Sequence, residues 1–147
     1  MRILIQRVKE AKVHVDGEVV GQIDQGILVF LGVHKDDKPA DTEWLVKKLV
    51  GLRIFEDEQG KMNRNVQDIK GEILVVSQFT LYGNCMNGRR PDFISSMRGD
   101  AAEKIYDKFA AEVKQVLGRV ETGQFGAMMQ VELTNDGPVT FLIDGKT

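Results

Sequence analysis

The 147-residue chain has one cysteine, two histidines and a single tryptophan. A lone thiol, Cys85, excludes an intramolecular disulfide framework. With no apolar leader ahead of the first strand pattern, it points to a cytoplasmic protein. His14, His34 and Cys85 fall at no zinc-site spacing, so neither a bound metal nor a cofactor is expected. No apolar run approaches the ~20 residues that cross a bilayer, and no membrane partner is expected. Lys and Arg number 20 against 22 Asp and Glu, a net charge of −2. A protein that coats long nucleic acid carries a basic excess, so any such contact here should be small and local.

What is present fits one soluble domain over residues 1–147: 42% of residues are hydrophobic and 29% charged. Val13, Val15, Val19 and Val20 flank Asp16-Gly17, a hairpin signal within a β segment Ile3–Val20. The continuous apolar run Ile27–Val33 reads as a buried central strand. Pro39 and Asp41 open a helix in which Trp44, Leu45, Leu49 and Leu52 recur at helical spacing. Arg53–Phe55 returns to strand before a turn at Asp57–Gly60, and Ile73–Tyr82 is a further strand. An irregular stretch, Asn84–Gly99, precedes a second helix over Asp100–Leu117. There Asp100 and Glu103 resemble a capping box and Gly118 stops the helix. Ala127–Leu133 and Val139–Asp144 read as two strands around the corner Asn135-Asp136-Gly137-Pro138. The sum is an α+β fold: one compact domain, an antiparallel or mixed sheet forming a barrel-like core, and two main helices.

Side-chain catalysis has little support. A serine hydrolase needs a nucleophile, a base and a group that orients the base, and two dispersed histidines leave few ways to build that. His14 near Asp16 reads as a solvated strand face, and Cys85 as an incidental thiol. No Walker-type or GxGxxG loop occurs. Two features remain. Ser77-Gln78-Phe79-Thr80-Leu81 places polar side chains at the end of an apolar strand, where ligand sites often form. The bland alternative is that Ser77 and Thr80 satisfy neighbouring backbone and Gln78 points to water. Gly137-Pro138 interrupts two alternating strands, where proline belongs at a corner, and spacing alone does not decide between an ordinary tight turn and a cis bond.

Taken together, these features resemble the bacterial-type D-aminoacyl-tRNA deacylases over essentially the whole length. Ile5-Gln6-Arg7-Val8, Leu31-Gly32-Val33, Arg53-Ile54-Phe55 and Gly60-Lys61-Met62-Asn63 fall in the family's order. Val75–Leu81 matches its SQxxL signature, and Asn135–Thr140 its Gly-cisPro signature. The resemblance implies a homodimer, with its active site at the subunit interface, that hydrolyses the ester between a D-amino acid and the tRNA 3′-terminal adenosine. It further implies that Gly137 and Pro138 reach into the partner's site beside Ser77. There their carbonyl oxygens would take the substrate α-amino group and exclude an L side chain. Backbone N–H groups near Phe79 and Thr80, with Gln78, become the oxyanion donors, and the ribose 2′-hydroxyl assists. Thr80 as a nucleophile is the less favoured role. Arg7 either braces the Gly-Pro segment or is an ordinary strand-surface arginine. Arg89 and Arg90, in a stretch resembling the family's GxRPxF, either touch the tRNA 3′ end or are solvated surface, as are Lys47 and Lys48 on the first helix. The chain departs from the pattern at Gln124, where many relatives have arginine, and around Gly83–Met86. Two other readings are a same-fold deacylase that removes glycine or a misplaced L-amino acid, and a non-catalytic dimeric module that binds tRNA ends.

Overall fold

The computed structural model describes residues 1–145. Its spine is β1 (Arg2–Val15), which turns at Asp16 and Gly17, both at positive φ (51° and 81°), into β2 (Glu18–Ile23). Positive φ at both central residues is what the tightest hairpin turn needs. Residues 2–8 of β1 pair with β3 (Gly26–Gly32) and residues 11–15 with β2, both antiparallel. β3 pairs in parallel with β6 (Glu72–Ser77), and β6 with the two-residue β7 (Glu121–Thr122). The sheet rolls until its ends approach: a Cβ built on Gly21 of β2 would lie 2.2 Å from the Thr122 carbonyl oxygen of β7. Only glycine permits that approach, and it is what makes the sheet nearly close into a barrel.

Alternate residues of the same strands feed two apolar clusters. Leu28, Leu74 and Val76 point inward with Val8, Val13 and Ile23. Ile27, Val29, Ile73 and Val75 point outward, under α1 (Thr42–Gly51) and α2 (Gly99–Leu117), against Leu45, Leu49, Ile105 and Phe109. A strand buried on both faces reads as an unbroken apolar run, which is why Ile27–Val33 does. A small hairpin, β4 (Phe55–Glu56) and β5 (Met62–Arg64), closes over Gly60 at φ 75°. Among the described residues no helix is long and apolar enough to cross a membrane.

Three local expectations are corrected. The strand expected over Ile73–Tyr82 ends at Ser77, and Phe79–Tyr82 is a 3₁₀ turn. β3, the neighbour that would continue the ladder, itself ends at Gly32. The last rung is Gln78 N–H to the Leu31 carbonyl at 2.8 Å. The capping box does not form: α2 starts at Gly99 behind Arg98, no side chain caps it, and Asp100 sits in its first turn, where its charge suits the helix dipole. The two C-terminal strands are one, β8 (Gln130–Asp144), antiparallel to β1 over nearly its full length. Between the pairs Gln6↔Thr140 and Val8↔Asn135, residues 136–139 loop out opposite Arg7, so the expected corner is a bulge within a continuous strand. The Asn135 side chain ties its base, accepting from Val139 N–H at 3.1 Å and donating to Thr140 Oγ1 at 3.0 Å.

Candidate active site

β6 carries Ser77 to the edge of the barrel, and the chain then tightens into the 3₁₀ turn. Such a turn leaves its first N–H groups without intrahelical partners. Leu81 N–H returns to the Gln78 carbonyl and Gly83 N–H to that of Thr80. The Phe79 and Thr80 N–H groups have no acceptor among the described residues. Several contacts hold the turn in place. Ser96 Oγ donates to the Phe79 carbonyl at 2.9 Å, and Arg2 Nη1 to the Leu81 carbonyl at 2.9 Å. Phe93 meets the Phe79 ring edge-on at 5.1 Å, and the Arg98 guanidinium covers it at 4.4 Å.

Ser77, Gln78 and Phe79 open on a cleft of about 700 Å³, closed by the start of α2 and by Phe125, Met128 and Met129. Thr80 is not in its lining. The Thr80 hydroxyl is engaged by Gln78 Nε2, and no histidine or carboxylate of the described residues touches it. The nearby tyrosine offers no base either: burial, reinforced by Asp37, pushes the Tyr82 phenol up to about 12, which keeps it neutral. His34 stacks edge-on against Tyr82 at 5.2 Å, outside the cleft lining. His14 faces Glu132 of β8 at 3.2 Å, not Asp16, and Cys85 is exposed. Among the described residues no three His, Cys, Asp or Glu side chains gather to hold a metal ion.

The Gly137-Pro138 peptide bond is cis. Gly137 has φ +135°, and a Cβ there would lie 2.7 Å from Val139 Cγ2 and 3.0 Å from Val139 N. That conformation and that crowding leave room only for glycine. Arg7 is 6% exposed and lies under this loop. Its Nε donates to the Asp136 carbonyl at 3.0 Å and its Nη1 to that of Ile54 at 2.8 Å. The carboxylates of Asp136 and Glu56 stand 3.7 Å and 3.9 Å from the guanidinium. Within one chain, however, corner and cleft are apart. Arg7 faces Ile27 near the start of β3, whereas Ser77 faces Leu31, an offset of about 13 Å along a strand.

Arg89 and Arg90 are exposed in a loop closed by paired backbone bonds between Asn84 and Asp92. Neither lines the cleft or makes an ion pair among the described residues. Lys47 and Lys48 are exposed on α1 beside Trp44, away from the cleft. Sequence reasoning missed Ser96 and Arg98, whose contacts to Phe79 span 17 and 19 positions. Only the length of the irregular Asn84–Gly99 segment hinted at them.

Comparison with known proteins adds an independent line. The sequence model of the D-Tyr-tRNA(Tyr) deacylase family matches residues 4–144. A D-aminoacyl-tRNA deacylase of Clostridium tetani is 55% identical over 99% of this chain and 98% of its own length. One from Thermosipho africanus is 56% identical over the same shares. A solved structure described as a c-Myc DNA unwinding element binding protein superposes with a TM-score of 0.94 at 40% identity, covering all of both chains. Matched by the family model over residues 4–144 and by relatives at 55–56% identity over 99% of its length, this chain belongs to the D-Tyr-tRNA(Tyr) deacylase family.

Proposed function

We propose that the chain hydrolyses the ester joining a D-amino acid to the 3′-terminal adenosine of tRNA, as a cytoplasmic homodimer in which residues 1–147 act as one deacylase domain. Water adds to the ester carbon, the bond to the 3′-oxygen breaks, and that oxygen leaves with a proton as the free tRNA end. The observation that carries this reading is a pair of N–H groups, on Phe79 and Thr80, without acceptors among the described residues, beside a cleft whose described lining holds no base. Donors fixed before reaction stabilise the negative charge that grows on the ester oxygen, commonly worth 10²–10³ in rate. Gln78 is a further donor. The ribose 2′-hydroxyl, carried by the substrate itself, then assists proton transfer.

Chirality is enforced by the main chain. In this reading the Gly137 and Pro138 carbonyls of the partner subunit enter the cleft, accept the α-ammonium group and occupy the space an L side chain would need. Two observations support a contribution in trans. The corner stands opposite Arg7, which faces Ile27, four rungs along β3 from the Leu31 that faces Ser77. It also sits on β8, which among the described residues pairs only with β1 and exposes Phe141 (41%) and Leu142 (56%) on a 15-residue edge. Long apolar edges of this kind seek a partner strand. Each tenfold of discrimination requires about 1.4 kcal/mol, and a clash with a braced backbone exceeds that several times over.

Incubation with matched D-, L- and glycyl-tRNAs tests the reading. Release of D-amino acid, with some glycine and no L-amino acid, is expected. Preferential L release would assign the altered-chirality activity instead, and no release at any enzyme concentration would leave only a tRNA-end-binding module.

A further inference from the structure

Among the described residues lining the cleft, Arg98 alone carries a charge. Serine, glutamine, methionine, phenylalanine and small side chains supply most of the remaining wall. Arg98 makes no ion pair among the described residues. Its guanidinium is nonetheless fixed, lying 4.4 Å over the ring of Phe79. Stacking of this kind pre-positions the donor fork and lowers the entropy lost when it binds. The backbone of Arg98 is extended (φ −135°, ψ 169°) immediately before the 19-residue α2, whose N-terminal dipole adds to the positive potential at the same wall.

On the hydrolytic reading above, the charged groups and the ester of the substrate end meet such a wall differently, while the adenine base and ribose hydroxyls are neutral. The α-ammonium is cationic and would be repelled, and the ester is neutral. The phosphodiester on the 5′ side of the terminal adenosine is anionic, and its paired oxygens match a guanidinium fork. It is carried through C5′ on C4′, the ring carbon next to the one that bears the 3′-ester. The Arg98 cation stacks on the ring of Phe79, the residue whose N–H is proposed to face the ester oxygen. We propose that Arg98 is a positioning residue that binds the phosphodiester linking the terminal adenosine to the preceding nucleotide. It thereby sets the depth at which the ester enters the cleft. Arg89 and Arg90 lie outside the lining.

The test compares Arg98→Gln and Arg98→Lys with the parent chain on D-aminoacyl-tRNA and on D-aminoacyl-adenosine, which has the ester but no phosphate. The glutamine variant is expected to raise KM for the tRNA substrate about tenfold, as for loss of a charge-assisted hydrogen bond, with kcat changed far less. Its KM on the adenosine ester should rise several-fold less than on tRNA. The slope of log KM against log salt should flatten by about 0.7, one single-strand phosphate contact. The lysine variant should regain that slope and part of the affinity. Equal losses on both substrates would show that Arg98 acts only by packing on Phe79. An unchanged KM and salt slope on tRNA would overturn the proposal outright. A parent chain that cleaves neither substrate would instead defeat the hydrolytic reading, a failure visible before any variant is made.

Discussion

Thr80 shows how much a side chain contributes when the backbone beside it is the reagent. Its hydroxyl is held by Gln78 Nε2 and meets no base, so it lacks what a nucleophile needs. Thr80→Ala should therefore retain deacylation within about tenfold of the parent, whereas complete loss with an intact fold would assign the hydroxyl a covalent role. Arg7 is the opposite case, because its guanidinium satisfies two carbonyl oxygens in a nearly dry setting. Arg7→Met removes both donors and should cost about 2–4 kcal/mol, read as a lowered denaturant midpoint. Tyr106, 4% exposed, donates to the Val75 carbonyl at 2.9 Å, and burial pushes its phenol up to about 12. The folded chain thus holds this proton more tightly than the unfolded one, whose phenol titrates near 10. The stabilisation is complete below pH 10 and fades as pH rises through 12, by up to roughly 2–3 kcal/mol. Urea titrations from pH 9 to 12 should show that loss, and Tyr106→Phe should reduce it.

At the level of elements, the 3₁₀ turn depends on how closely β3 approaches it. A Cβ on Gly32 would stand 3.0 Å from Leu81 Cβ and 3.2 Å from the Gln78 carbonyl oxygen. Gly32→Ala must therefore displace the turn by a few tenths of an ångström. It should lower kcat by more than its small change in thermal midpoint would suggest, and an unaltered kcat would mean the turn's position is not critical. Such contacts also explain what was readable in the sequence. Asp16-Gly17, the run from Ile27 and the stripe Ile105–Val113 are governed by local chemistry or by a regular period, and they fold as read. The end of β6 is not local: it falls where β3 stops, 45 positions earlier in the chain. The merging of two expected strands into β8 has the same origin, since β1 pairs on both sides of the bulge and carries the ladder past it. Ser77, Gln78 and Phe79 stand together because they are consecutive. Their neighbours Ser96 and Arg98 come from a segment with no periodicity to read, so only the three-dimensional structure brings them in.

For the whole molecule, the proposed dimer puts its seam on the outer edge of β8. Leu142→Asp places a charge on that exposed edge and, if the proposed dimer forms there, should shift it toward monomer in sedimentation. Deacylation should fall with the dimer fraction if each cleft needs a neighbour's corner. The central claim, that one subunit supplies the cleft and the other the corner, is tested most directly by mixing two inactive variants. Gln78→Ala weakens the cleft, while Gly137→Ala disrupts the corner through its φ of +135° and the crowding by Val139. In an equimolar mixture left to exchange subunits, half the dimers are hybrids, and each hybrid holds one intact cleft facing one intact corner. Activity should then rise from near zero to about a quarter of the parent value. If the mixture stays as inactive as its components after exchange is verified by mass, cleft and corner belong to the same chain and the trans arrangement is wrong.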